Sequence, residues 1–189
     1  MSVLGMVEFQ GIAVGILGSD AMVKAAQVEL MESHPIDPGR YLAAVAGDVA
    51  SVEASVRAGV NIAKESLVYS FVLPNLHPQI LPALRGQAPE PAPNAVGIIE
   101  TQTAAAIVEA ADAACKAAPV QLMKLRLALH IGGKGYTTFV GDVADVEAAV
   151  WAGVRAAGDK LIDNVVIPNP YPEIFSHLVG NDDTCTRDR

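Results

Sequence analysis

The segment Asp20-Ala-Met-Val-Lys24-Ala-Ala-Gln-Val28-Glu-Leu-Met31 returns 92 positions later as Asp112-Ala-Ala-Cys-Lys116-Ala-Ala-Pro-Val120-Gln-Leu-Met123, with eight of twelve residues identical. A second segment, Gly47-Asp48-Val-Ala-Ser-Val-Glu53-Ala-Ser-Val-Arg-Ala-Gly59-Val60, returns after 94 positions as Gly141-Asp142-Val-Ala-Asp-Val-Glu147-Ala-Ala-Val-Trp-Ala-Gly153-Val154, with eleven of fourteen identical. A third echo pairs Pro74, Asn75 and Pro78 with Pro168, Asn169 and Pro172. Self-similarity at one long period marks a duplicated structural unit. The change from 92 to 94 places a two-residue length difference between the first two blocks. The duplication accounts for nearly all of the 189 residues, as a first domain over 1–86 and a second over 95–180. Between them, Gly86-Gln-Ala-Pro-Glu-Pro-Ala-Pro-Asn94 is proline-rich, which favours an extended, semi-rigid linker over 87–94. Residues 181–189 form a polar tail.

Each copy carries the same order of elements. Val3 to Phe9 is apolar and strand-like, and Gly11 to Ala26 follows as an apolar helix on which Asp20 and Lys24 lie one turn apart and can pair. Val28 to Ser33 and Tyr41 to Ala46 read as the second and third strands, joined through a loop containing Pro38-Gly39. Asp48 precedes a long helix, where its carboxylate can accept a free N–H of the first turn. Val49, Val52, Val56, Val60 and Ala63 fall on one stripe, so that helix packs on a sheet by a single face. Val68 to Leu73 supplies a fourth strand and His77 to Leu84 a short closing helix. The expected fold class is α/β of the α+β kind, a ferredoxin-like open sandwich: two tandem copies of a four-stranded antiparallel sheet with helices on one side. A unit of roughly 85 residues is marginal alone, and fusion and assembly would stabilise it.

Composition narrows the function. Half of the residues are hydrophobic (51%), mostly Ala and Val, and the mean hydropathy is +0.34. No apolar run reaches the roughly 18 residues needed to span a bilayer. That combination suits a subunit that hides much of its outside against neighbours. A formal charge of −8 and a pI near 4.9 argue against nucleic acid, which needs clustered Lys and Arg. Met1-Ser2-Val3-Leu4-Gly5 leads straight into a strand without the features of a secretory signal, so export by that route is not expected. Cys115 and Cys185 lie in no CxxC motif and form no disulfide framework, which fits a reducing cytosol; Cys115, in mid-helix, reads as a small core residue.

The candidates for chemistry are few. Gly132-Gly133-Lys134-Gly135 lacks both the spacing of a phosphate-binding loop and the helix that should follow it. His34, His77, His130 and His177 form no ligand-spaced pair, and His77 and His177 read as surface or interface residues. His130 with Asp37 could offer mixed imidazole and oxygen donors, but no metal is expected there. Glu8 and Glu100 occupy matching strands, and their repetition in both copies reads as a structural contact. With no nucleophile–base pair or cofactor fingerprint, the chain is not expected to be an enzyme or to have catalytic residues.

Gly5-Met-Val-Glu8, Asp20-Ala-Met-Val-Lys24-Ala-Ala, Gly47-Asp48-Val, Val56-Arg-Ala-Gly59 and Leu73-Pro-Asn75, repeated in the second copy, resemble the shell-domain signature of bacterial microcompartment proteins. Tandem members of that family form trimers that mimic hexamers and tile into flat sheets with a central pore. Ile131-Gly132-Gly133-Lys134 and Val166-Ile167-Pro168 look most like the tandem proteins of propanediol-utilisation shells, some of which hold an iron–sulfur cluster at the threefold axis. The resemblance implies a structural tile in a shell within the bacterial cytoplasm. Its partners would be further copies of itself, other shell proteins and small polar metabolites crossing the pore, with no nucleic acid or membrane. A tandem ferredoxin-like regulatory or small-molecule-binding oligomer is the alternative.

The resemblance also implies site residues. Pro35, Ile36, Asp37, Pro38, Gly39 and Arg40 of the first copy and His130, Ile131, Gly132, Gly133 and Lys134 of the second would line the pore. Lys24, Lys116, Asn75 and Asn169 would lie at the tile edge. Cluster-bearing relatives carry Cys-Pro-Gly-Lys where this chain has Asp37-Pro38-Gly39-Arg40, so no cluster or other cofactor is expected. Three Asp37 side chains near one axis would make an acidic ring. Read by its residues alone, Asp37-Pro38-Gly39 is equally a turn.

Overall fold

A computed structural model describes residues 3–90, 94–128 and 130–179. Cys185, the tail 181–189 and residues 91–93 of the linker lie outside the described residues. The first copy consists of β1 (Val3–Phe9), α1 (Ile12–Ala25), β2 (Glu29–Ile36), β3 (Arg40–Gly47), α2 (Val49–Ala63), β4 (Leu67–Leu73) and the short α3 (Ile80–Leu84). The second repeats it as β5 (Ala95–Thr101), α4 (Ala104–Ala117), β6 (Gln121–Leu127), β7 (Gly135–Gly141), α5 (Val143–Ala157), β8 (Leu161–Ile167) and α6 (Pro172–Val179). Both sheets are antiparallel, in the orders β2-β3-β1-β4 and β6-β7-β5-β8. This is the β-α-β-β-α-β arrangement expected from the repeat. Register is conserved between the copies: Val3 pairs Gly47 as Ala95 pairs Gly141, and bulges fall at Glu8/Phe9 and Glu100/Thr101.

Alternation along β1 assigns its faces. Val3, Val7 and Phe9 pack with Met22, Val52, Val56 and Ala63 beneath α1 and α2. Leu4 and Met6, on the other face, join a second cluster with Phe71, Ile80 and Ala83, and that cluster continues into Val108, Ala111 and Cys115 of α4. The two long helices of the first copy therefore share one side, whereas α3 and the second copy's α4 cover the other. Gly59 and Gly153, equivalent in the repeat, allow the helix pairs to approach: a Cβ on Gly59 would lie 2.8 Å from Met22, and one on Gly153 would lie 2.9 Å from the Ala110 carbonyl.

Several boundaries differ from the expectations for physical reasons. In α2 the buried stripe is Val52, Ser55, Val56, Gly59 and Ala63; Val49 is exposed at the first turn and Val60 is only half-buried. Asp48 caps this helix by accepting the Ser51 N–H at 3.0 Å, but Asp142 makes no such bond and instead accepts from Asn94 Nδ2 at 2.8 Å. The closing helix starts at Ile80 and not at His77, because a residue preceding proline disfavours helical backbone. Strand β2 runs on to Ile36, which is buried and pairs with Arg40. Pro35 is tolerated there because β2 is an edge strand. Only Asp37-Pro38-Gly39 remains as the turn, with a cis Asp37–Pro38 peptide and Gly39 at φ 78°.

Candidate functional site

The most developed polar arrangement lies along the seam where α4 crosses the outer face of the first sheet. Glu8 projects from β1 into that seam and is wholly buried. Its Oε1 accepts from Arg40 Nη1 at 2.9 Å and its Oε2 accepts the Ala105 N–H at 3.3 Å, so the carboxylate sits at the α4 N-terminus, where backbone N–H groups lack helical partners. Burial pushes the Glu8 carboxyl above the usual carboxylate range, against the lowering pull of Ala105 and Arg40. Farther along, Tyr69 donates to Glu109 Oε2 at 2.5 Å, and the His77 N–H donates to Asp112 Oδ1 at 2.8 Å. Burial raises Glu109 as well, with Asp112 adding to the rise and the Tyr69 bond opposing it. Gln79 closes the seam: Nε2 donates to the Val120 carbonyl at 2.9 Å, and Oε1 accepts the Leu122 N–H at 2.8 Å.

The two loops read as pore-lining meet at one end of the seam. The His130 N–H donates to Asp37 Oδ2 at 2.6 Å, and a Cβ on Gly133 would lie 2.7 Å from the Asp37 carbonyl oxygen and 2.9 Å from Pro38 Cδ. Gly132 and Gly133 at φ 67° and 83° give the backbone this close approach, and His130 itself is held at φ 60°. Arg40 and Lys134 turn away toward carboxylates, the latter pairing with Glu100 at 2.7 Å. His34 pairs with Glu32 through Nε2 at 3.1 Å. Lys24 pairs with Asp20 at 2.6 Å on an exposed turn, and Lys116 pairs with Asp112 at 2.5 Å. Asn75 and Asn169 are exposed in their proline turns. Cys115 is buried in α4 with its thiol pushed up to about 12, chiefly by burial and also by Asp112, so it supplies no ligand to the loops.

Comparison with known proteins matches the BMC domain model twice, over residues 3–76 and 95–170. The chain belongs to the BMC-domain family. It is 41% identical to the bacterial microcompartment shell protein PduT of Citrobacter freundii over 93% of this chain and 97% of that protein. Among solved structures, a microcompartment protein of Desulfitobacterium hafniense DCB superposes with a TM-score of 0.83 at 46% identity, covering 93% of this chain and 98% of the other. The fused permuted hexameric shell protein MSM0275 superposes with a TM-score of 0.64 at 20% identity, over 82% of this chain and 83% of the other, a likeness of fold.

Set side by side, the two BMC domains are not equally covered. Val108 of α4 is buried at 0% exposure, whereas its counterpart Ile16 of α1 stands 55% exposed. Phe71 of β4 is 7% exposed and its counterpart Val165 of β8 is 45% exposed. Ile12, Leu17, Val23, Leu30 and Ile174 follow the same pattern, each exposed at the position whose equivalent lies along the seam. The chain thus ends in two open half-seams, α1 on the first BMC domain and the outer face of the sheet in the second. Sequence reading missed Tyr69, Gln79 and Glu109 as seam residues. Residue type carried little signal: Tyr69 corresponds to Asp163, Gln79 to Glu173 and Glu109 to Leu17, but the segments around them share few identities, Leu67 and Val72 alone matching between β4 and β8.

Proposed function

We propose that the chain is a structural tile of a bacterial microcompartment shell, closing into a homotrimer of pseudo-sixfold shape, lodged in the shell within the cytoplasm beside other shell proteins. One observation carries this reading: the open α1 face and the open second sheet are the two halves of the seam already formed inside the chain. A heterologous contact of that kind, repeated from chain to chain, closes into a ring. Glu100, already paired with Lys134, would then receive the α1 N-terminus of the next copy as Glu8 receives that of α4. The role is structural, in keeping with the shell-protein relatives.

Ring geometry supports a pore at the meeting loops. In a pseudo-sixfold ring, the distance between equivalent points of adjacent domains equals their distance from the axis. Asp37 and Gly133 are within two residues of equivalence and touch, so their loops belong near the axis. Three Asp37 carboxylates and the loop N–H groups would favour cations and neutral polar metabolites over anions. The same residues do not fit an iron–sulfur cluster: position 37 carries a carboxylate tied to the His130 N–H, and the described thiol is inert within α4. Lys24, Lys116, Asn75 and Asn169 are proposed as the tile edge.

Sedimentation is expected to return a species of about 59 kDa, three times the 19.6 kDa chain, and electron microscopy of concentrated protein to show flat sheets. Replacing Lys24 and Lys116 by Glu should preserve the trimer and abolish the sheets. A stable monomer at micromolar concentration would count against the tile, and unchanged sheets would remove the edge assignment.

Asp37→Cys tests the axis. Oxidation should link the thiols of different chains into covalent dimers, because three residues at one axis come within disulfide reach. A trimer that never cross-links would leave Asp37 as a turn residue remote from the pore.

A further inference from the structure

Gln79 and Glu173 hold the same place in the repeat, each between a proline and an isoleucine. Gln79 joins the domains because one amide serves two backbone groups at the start of the edge strand β6, donating to the carbonyl of Val120 just before it and accepting the Leu122 N–H within it. Position for position, the assembly proposed above brings Glu173 to the Val28 carbonyl just before β2 and the Leu30 N–H within it, β2 being also an edge strand, in the next copy. An ionised carboxylate only accepts hydrogen bonds. It can take the Leu30 N–H, but it leaves the Val28 carbonyl facing oxygen with no donor between them.

The charges around this contact add to the mismatch. On the receiving side, Glu29 of β2 and Asp48 before α2 line the same open cleft as Val28. Arg85, after α3, also lines it, with its guanidinium 4.0 Å from Glu29. On the donating side, His177 lies one turn along α6, and Lys124 of β6 donates to the His177 carbonyl at 3.0 Å. That a contact is meant here is independently visible in the next residue: Ile174 is 52% exposed, whereas its counterpart Ile80 is 0% exposed in the seam.

We propose that Glu173 docks on the Val28–Leu30 strand edge of a second copy and is the proton-sensitive counterpart of Gln79. Proton uptake converts one carboxylate oxygen into an O–H donor and restores the donor–acceptor pair that Gln79 has permanently. The joint inside the chain is then independent of pH at this position, and the joint between chains tightens in acid.

Trimer dissociation constants for the unaltered chain and for Glu173→Gln, measured by sedimentation at pH 8 and pH 5.5, test this. The Gln variant should assemble about ten-fold more tightly per joint at pH 8, the scale of one restored hydrogen bond to a buried partner. The acid gain of the unaltered chain should exceed that of the variant by somewhat less than about two-fold per joint at pH 5.5, since a roughly ten-fold preference for the protonated form is expressed in full only below the ordinary carboxylate range; this excess separates Glu173 from other interface carboxylates. Trimers of equal affinity at pH 8, or equal acid gains, would overturn the docking of Glu173 and leave the tile standing. A monomer under every condition would remove the assembly itself.

Discussion

An Ile16→Asp chain is expected to sediment as a monomer at concentrations where the unaltered chain is expected to sediment as a trimer. Ile16 lies at the centre of the open α1 face, with Ile12, Leu17 and Val23 around it. Its counterpart Val108 shows the environment it would enter, since Val108 is packed with no solvent contact against the first sheet. Placing a carboxylate there removes an apolar contact and buries a charge that has no partner. A loss of about 3 kcal/mol at each joint weakens association roughly 100-fold, and a closed ring suffers it at three joints. Trp151→Asp is the control. Trp151 is also exposed, on α5, but it stacks with Arg155 at 4.7 Å and its counterpart Arg57 is exposed as well, so neither belongs to a half-seam. A trimeric Ile16→Asp chain, or a monomeric Trp151→Asp chain, would show that the open faces have been assigned wrongly.

Arg40→Met is expected to cost about 3–5 kcal/mol of folding stability at pH 7, the scale of leaving one member of a buried ion pair unpaired. Glu8 has no solvent contact, so after the change its carboxylate retains only backbone N–H groups of α4. The pH dependence has a definite sign. A carboxyl raised in the folded state binds more protons there than in the unfolded chain, so its contribution falls as pH rises from the unfolded range through the folded one. Arg40 pulls Glu8 down, and its removal carries the folded value higher and extends that window upward. Part of the lost stability should therefore return at pH 5. Urea unfolding at fixed protein concentration measures this, with the Glu8→Gln, Arg40→Met double change expected to recover most of the loss. A deficit below about 1 kcal/mol, or one that is the same at both pH values, would mean that the seam does not depend on this pair.

Much of the fold was legible because duplication supplies its own control. The two blocks of identity fixed the domain count, and the apolar run from Val3 to Phe9 and the cap at Asp48 recur as β1 and α2. The boundaries that moved, at Ile36 and Ile80, depend on strand pairing and on the turn geometry before Pro78, neither of which periodicity reports. Glu8 was readable as a structural contact because Glu100 repeats it. Its partner on α4 was not, because the Ala105 N–H comes from 97 residues away and a backbone donor leaves no trace in residue type.

The sequence by itself determined that this chain is a doubled BMC domain, since identity at a fixed separation and hydrophobic period are properties of neighbouring residues along the chain. Only the tertiary structure decided that the copies are joined through one seam and left open at its two counterparts. Exposure of Ile16 and burial of Val108 concern which surface meets which, and two helices at equivalent places in the repeat acquire different surroundings only when the chain is folded and one of them has a sheet to cover.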